Sequence, residues 1–253
     1  MASVLIVGES WVSHAHHVKG WDFFSSATYH TGHRELQQAL RAAGHDVTHL
    51  PSHAAGSELP LDLPGLEAFD VIVLSDVGAN TLLLHPDTWL HGRRTPNRLR
   101  LLREYVRGGG GLMMAGGYLS FQGIHGAARY RGTPVEDVLP VALLPIDDRV
   151  EEPEGFDVVL TQPEHPLLAG LETPWPALLG LNEVTVKEGA ELLVSANGHP
   201  LLVLGRFGAG RSAAWTSDIG PHWCSPEFVA WDGYATLWTR LVAWLAAGAL
   251  EEA

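Results

Sequence analysis

Along this chain the apolar residues gather in short runs more often than they alternate with polar ones. Ser3–Val7 is one run, ending in Gly8-Glu9-Ser10, and it predicts a first strand. Asp46–Leu50 predicts a second strand and Asp70–Leu74, ending at Ser75-Asp76, a third. Gly111–Ala115 predicts a fourth. Between them the pattern turns helical. Thr31–Ala43 has helical character with Gly44 placed as a C′ glycine, and Asn97–Val106 follows Pro96 and is closed by the glycines 108–111. Strands that are apolar throughout are buried on both faces, so this order predicts an α/β protein with a mainly parallel sheet covered by helices.

The second half is less regular. Thr133–Val138 predicts a short helix. Val141–Leu144, Phe156–Leu160 and Glu191–Ser195 predict further strands, an antiparallel extension of the sheet. Leu201–Leu204 and Ser212–Thr216 flank Arg206-Phe207-Gly208-Ala209-Gly210, as a hairpin would. Near the C-terminus, Ser225 suits an N-cap, Pro226 suits N1, Glu227 complements the helix dipole and Gly248 follows the end, predicting one long helix. Without an internal repeat or a low-complexity linker, residues 1–253 read as a single domain.

Composition narrows the partners. The 253 residues are 46% hydrophobic, enough for a sizeable core, and carry a formal net charge of −13. No Lys/Arg-rich block is present, which argues against nucleic acid and anionic membranes as partners. The apolar stretches are too short to span a bilayer, and the N-terminus lacks the basic and apolar regions of a signal peptide. A lone cysteine, Cys224, rules out an intrachain disulfide. A cytoplasmic protein is expected, with no cofactor, a small polar metabolite as ligand and self-association into a homo-oligomer as an open option.

In an open parallel sheet, ligands bind beyond the carboxyl ends of the strands. Four such ends carry polar loops. The first is Glu9-Ser10-Trp11, running on through His14, His16, His17 and Lys19 to Asp22; the second is Ser75-Asp76 through Gly78 to Asn80. The third is "AGGYLSFQG", which contains Gly117, Tyr118, Ser120 and Gln122, and the fourth contains Asp218, His222 and Trp223. Parallel strands would bring all four to one edge. The small residues around Tyr118 have the spacing of a nucleophile elbow, but a tyrosine stands at its centre. Blander roles fit each residue singly: caps for Asp76 and Asp218, turn geometry for Gly78 and Asn80, aromatic packing for His222 and Tyr118. The His14, His16 and His17 cluster lacks the i, i+4 spacing of a helical zinc site. Ligands from it would need Asp76 and His222 as companions, so surface histidines are the reading taken and no metal is assigned. The charged run Asp147–Glu154 reads by default as a solvated loop. Alternatively its Arg149 pairs bidentately with a neighbouring carboxylate and, with Glu151, frames a pocket.

The stretches "GESW", "HVKGWDFF", "LSDVGANTLLLHP", "NRLRLLREYVRGGGGLMMAGGYLSFQG", "TPVEDVLPV", "DDRVE", "WPALLGLNEV" and "GAGRSAAWTSDIGPHW" span nearly the whole chain. In them it resembles the class I glutamine amidotransferase-like proteins, in a branch of cytoplasmic proteins without an assigned reaction. The ending "GRSAAWTSDIGPHW" also resembles trehalose-utilisation-type relatives. The resemblance implies a flavodoxin-like three-layer α/β/α sandwich. In working amidotransferases an elbow cysteine attacks the glutamine amide, aided by a histidine and an acid. Here the elbow position is Tyr118, His222 most resembles the histidine, and Cys224 stands where the acid is expected, leaving Asp218 or Glu227 to substitute. A phenol is a poor nucleophile at neutral pH. The expected catalytic group is therefore Tyr118, His222, Asp218 and Ser120. The expected ligand contacts are Glu9, Trp11, Lys19, Asp76, Gly78, Asn80, Gly117, Gln122, Arg149, Glu151 and Trp223. Three readings follow: an enzyme or enzyme relative with altered chemistry, a non-catalytic binding or assembly module, and a glutaminase using Ser120 or Cys224.

Overall fold

The structure is a computed structural model and describes residues 1–249; residues 250–253 of the single-domain range lie outside the described residues. The chain opens with β1 (Ser3–Gly8), β2 (Ser10–Lys19), β3 (Asp22–Thr31), α1 (Arg34–Ala42) and β4 (Asp46–Leu50). Then come α2 (Ser52–Glu58), α3 (Leu63–Glu67), β5 (Val71–Ser75), α4 (Ala79–Leu83), α5 (Pro86–Trp89), α6 (Arg98–Arg107) and β6 (Gly111–Ala115). The middle holds α7 (Pro134–Val138), β7 (Val141–Leu143), β8 (Arg149–Glu151), β9 (Val158–Leu160), β10 (Gly180–Asn182) and β11 (Val184–Val186). Last come β12 (Glu191–Ala196), β13 (His199–Phe207), β14 (Gly210–Trp215), α8 (Pro226–Ala230) and α9 (Asp232–Ala246).

The main sheet has eight strands in the order β4-β1-β5-β6-β14-β13-β12-β9. Its first five strands are mutually parallel and the last three add on antiparallel. Ranked along the chain, the parallel strands lie in the order 2-1-3-4-5, the flavodoxin-like winding. Alternate residues of each strand feed opposite layers. Val4, Ile6, Val73, Met113 and Trp215 pack with Leu36 and Leu40 of α1 and Leu237, Trp238 and Leu241 of α9. Leu5, Val7, Leu74 and Met114 pack with Leu66, Leu82, Leu99 and Leu102 from α3, α4 and α6. The result is an α/β/α sandwich whose central strands are buried on both sides, as their unbroken apolar character requires.

Several local expectations are corrected. The polar stretch after Glu9 is not a loop: β2 and β3 pair residue by residue from Ser10↔Thr31 to Lys19↔Asp22 around a two-residue turn, whose Gly20 has φ +67 as primed hairpin turns require. Helix α1 accordingly starts at Arg34, and Thr31 closes β3. Val141–Leu143 pairs with β11 in a separate ribbon, outside the main sheet, and the charged run contains a strand, β8, paired with β10. The terminal helix is two helices. Ser225 caps the first, accepting from the Phe228 amide, but Trp231 adopts an extended conformation (φ −72, ψ 135) and packs on Trp175 and Phe228. Gly233 makes room for it, since a Cβ there would lie 2.1 Å from the Trp231 ring.

Arg98 is a buried cation with no carboxylate partner among the described residues. Its guanidinium donates to the carbonyls of Leu82 (2.5 Å), Ala55 (3.1 Å), Leu59 (3.3 Å), Gly56 (2.8 Å) and Thr81 (3.4 Å). It thereby ties together the carbonyl ends of α2 and α4. Arg98→Ala is expected to lower unfolding free energy by about 3–5 kcal/mol. Arg98→Lys should recover only part of that, because three donors on one nitrogen cannot reach carbonyls on both helices. Chemical denaturation of the two variants measures this, and equal stability of Arg98→Lys and wild type would contradict it.

Candidate functional site

The carboxyl ends of β1, β5, β6 and β14 surround one cavity of about 700 Å³. Glu9 and Trp11 enter it after β1, Asp76 after β5, Tyr118 and Leu119 after β6, and Asp218 and His222 after β14. Ile124 and Pro221 complete the wall. The position between β1 and β5 is where the winding order reverses, the place at which such sheets leave a crevice.

The strands leave the sheet abruptly. Glu9 (φ 48) and Asp76 (φ 45) both occupy the left-handed region, uncommon for residues with a side chain. Gly8 lets β1 pass close to β5, since a Cβ on it would meet the Ser75 carbonyl at 2.0 Å. Gly116 does the same between β6 and β14, where a Cβ would meet the Thr216 carbonyl at 2.1 Å.

Residues 117–123 are pinned from two sides. The Asp76 carboxylate accepts from the Leu119 amide (2.6 Å), and the Asp76 amide donates to Ser120 Oγ (3.0 Å). Underneath, the buried Asp148 carboxylate accepts from the amides of Gln122 and Gly123, each at 2.8 Å, and from Asn182 Nδ2 at 2.8 Å. Asn182 in turn accepts from the Gly117 amide (3.0 Å). No helix follows this bend. The chain continues through Phe121 (φ 51) into a single turn at Ile124–Gly126, so the strand-to-helix transition of an elbow is missing.

Tyr118 is held on several sides. The Arg149 guanidinium lies 4.7 Å from its ring centre and pairs with both oxygens of Asp147 (2.9 Å each). The Tyr118 hydroxyl donates to Glu151 (3.3 Å), which also accepts from the Trp223 indole (2.9 Å). His222 meets the ring edge-on at 4.8 Å. His222 Nδ1 stands 3.8 Å from Asp218 Oδ2, so Asp218 is the acid beside the histidine, and Glu227 is exposed on α8.

Three carboxylates share the cavity. Burial, then the nearby Asp76 charge, push Glu9 up to about 8, against a smaller opposing effect of the Ser75 hydroxyl at 2.5 Å. Burial, then Glu9 and Asp76, push Asp218 well above the usual carboxylate range. Burial raises Asp76 too, partly offset by the Leu119 amide and His222. Among the described residues no three His, Cys, Asp or Glu side chains converge closely enough to hold a metal ion.

Other expected residues lie elsewhere. Ser120 is buried, its Oγ accepts from the Asp76 amide, and it is not among the residues lining the cavity. Cys224 is buried, its thiol donates to the Asp218 carbonyl (2.8 Å), and burial pushes its ionisation up, so it is not a presented nucleophile. Lys19 sits at the far end of the β2–β3 ribbon over Phe24, and His16 and His17 bond to Ser25 and Ser26 across the ribbon. Asn80 is exposed on α4, and Gly78 caps that helix against Ala128. Gln122 and Gly117 contribute backbone amides to the support beneath the cavity, and Arg149, Glu151 and Trp223 stand behind Tyr118. Sequence reasoning missed Leu119, Ile124 and Pro221 as walls and Asp148 and Asn182 as anchors. Asp148 was visible only as one charge in an acidic run, and Asn182 carried no local signal.

Comparison with known proteins agrees with this architecture. A family model described as "Putative glutamine amidotransferase" matches residues 3–247. The cytoplasmic protein STM3548 of Salmonella typhimurium is 41% identical, with a TM-score of 0.93 over 96% of this chain and 98% of its own. The cytoplasmic protein STM1381 of Salmonella typhimurium LT2 is 42% identical, with a TM-score of 0.92 over 96% and 99%. A protein of Bacteroides uniformis described as thua-like shares the fold at 12% identity, with a TM-score of 0.54 over 97% and 91%. A search of curated proteins found no match.

The buried carboxylates set a pH dependence. Glu9 holds its proton in the folded state up to about pH 8, whereas an unfolded glutamate releases it near 4.5. Between those values the folded state binds more protons, so stability falls as pH rises, at up to ~1.4 kcal/mol per unit for one group. Asp76, Asp148 and Asp218, raised by burial, act in the same direction. His33, His45 and His49, lowered chiefly by burial, remove stability only as pH falls below 6.5. From pH 6.5 to 8, wild-type unfolding free energy should therefore decline, and Glu9→Gln should flatten the slope. A level wild-type profile from denaturant titrations would refute this.

Proposed function

The chain belongs to the glutamine amidotransferase-like family, and from that premise we propose that it binds a small polar metabolite in the strand-end cavity and acts on it by general acid–base chemistry, without glutaminase activity. The observation carrying this reading is the convergence of Glu9, Asp76, Tyr118, Asp218 and His222 on one cavity, while the chain's cysteine is sealed beneath it. His222 is half-exposed and faces the cavity with Asp218 behind it, an arrangement suited to exchanging a proton with a bound molecule. Tyr118 donates to Glu151 and is left with oxygen lone pairs to accept from a ligand. Its ring, Trp11 and Leu119 supply the apolar contact that small-molecule sites combine with a few polar groups. The relatives' description as cytoplasmic proteins supports a cytoplasmic location for this chain, and its acidity argues against nucleic acid as a partner.

A thermal-shift panel of small polar compounds on wild type and His222→Ala tests the proposal, beside an assay of ammonia release from glutamine. At least one compound class should raise the wild-type Tm, and His222→Ala should weaken the response by about tenfold or more. Glutamine should yield no ammonia. Ammonia release that disappears in Cys224→Ser, or a panel in which no class stabilises the protein, would sink it.

A further inference from the structure

We propose that the cavity's ligand is an organic cation, a small molecule bearing a protonated amine and hydrogen-bond donors; this rests on the cavity being the functional site. The sign of the cavity is the first argument. Three carboxylates line it, from three different strand ends, and no lysine or arginine does. Arg149, behind Tyr118, is tied to Asp147. The α-carboxylate of glutamine, or any phosphate, would find no lysine or arginine on the wall to pair with.

The second argument is hydrogen-bonding capacity. Glu9 is 4% exposed. It lines the cavity; its Oε2 accepts from Ser75, and its Oε1 lies against Gly32, where a side chain on that glycine would otherwise stand. A ligand N–H reaching this carboxyl would add a hydrogen bond to the one that Ser75 supplies. Third, Trp11 and Tyr118 line the same space, and aromatic rings attract cations, as the Tyr118 ring does the Arg149 guanidinium. Fourth, the acidic groups do not converge as a metal site does, so the charge suits an extended molecule better than a point ion.

A bound cation also changes the protonation of the cavity. Glu9 faces Asp76 after β5, Asp218 after β14 and Glu35 on α1, with Cys224 and Tyr234 also within electrostatic reach and His222 facing Asp76 and Asp218. With only carboxylates and neutral groups close to it, Glu9 keeps its proton in the empty cavity; an ammonium group reverses that preference, so binding releases a proton.

The test uses three matched probes on the full chain: glucosamine, N-acetylglucosamine and glucuronate, with tyramine as an amine lacking the sugar hydroxyls. Glucosamine and tyramine should raise the Tm and the other two should not. Their affinity by calorimetry should rise between pH 6 and 8, with a buffer-dependent heat that reports proton release. Glu9→Gln, isosteric with the protonated acid, should keep the fold and lose about tenfold or more in amine affinity. If N-acetylglucosamine or glucuronate binds and the amines do not, the cation assignment falls while the cavity stands as a site. If none of the four binds and the wider panel is equally silent, the cavity reading itself falls with it.

A separate observation concerns the β2–β3 ribbon. We infer that it docks against the same ribbon of a second copy of this chain. An isolated two-stranded ribbon is marginal in water, yet this one shows Trp21 (100% exposed), Phe23 (78%) and Val18 (73%), with Phe24 and Tyr29 also exposed. Self-association by any acidic surface would oppose like charges, because the chain carries −13. Residues 10–31 contain one lysine and one aspartate, so two copies can meet at the ribbon without that repulsion. Its exposed aromatics, at roughly 150–250 Å² each, supply an area of the order a stable two-fold contact needs. Light scattering after size exclusion at micromolar concentration should give a dimer or larger. The double variant Trp21→Ser/Phe23→Ser should be monomeric with an unchanged Tm for the body. A monomeric wild type, or a variant that stays associated, would overturn the inference.

Discussion

The carboxylate of Asp148 lies under residues 117–123 and receives the amides of Gln122 and Gly123 and the side chain of Asn182, which in turn holds the Gly117 amide. Each of those donors is shielded from water, and each would be costly to leave unpaired. The segment needs this external anchor because it has no helix of its own to satisfy its backbone. Asp148 can provide it because the antiparallel pairing of Arg149–Glu151 with Gly180–Asn182 brings both anchors beneath the end of β6. The same pairing sets Arg149 against the ring of Tyr118. Remove the anchor and the floor of the cavity loses the geometry that turns Tyr118 toward His222.

Above that floor the molecule tolerates arrangements that general stability would select against. Two strands end in left-handed residues with side chains, and carboxylates crowd into a space where burial opposes their charge. The core on both faces of the sheet is otherwise closely packed, with α1 and α9 on one side and α3, α4 and α6 on the other. Local frustration confined to one edge of a well-packed sheet is what a binding site looks like energetically.

Much of this was legible in the sequence because it depends on one strong signal. Unbroken apolar runs mark strands buried on both faces, and parallel strands place their following loops on a common edge. Hence the sequence pattern groups Glu9, Trp11, Asp76, Tyr118, Asp218 and His222, and they line one cavity. The β2–β3 ribbon was hidden because it packs against so little of the chain. Its histidines and serines mask the alternation that a half-buried strand shows. Strands β8 and β10 have three residues each, too short for any periodicity. The break at Trp231 comes from aromatic packing with Trp175 and Phe228, a tertiary contact that no helical signal within the segment records. The directions of Ser120 and Cys224 likewise follow from partners remote from any motif, the Asp76 amide and the Asp218 carbonyl.

The placement of β14 has a consequence for how the chain is made. It pairs with β6 from Arg211↔Gly111 to Trp215↔Ala115, about a hundred residues later in the sequence. A ribosome adding roughly 5–20 residues per second needs on the order of 5–20 s to cover that distance. Throughout that interval a Gly111–Ala115 strand already paired with β5 would have an open edge on its other side. A nascent chain folding in this order would carry an unpaired, aggregation-prone border until the segment bearing Asp218 and His222 arrives. Closing that border and completing the cavity are one event, so a chain that fails to finish its site is also the chain most exposed to capture by chaperones.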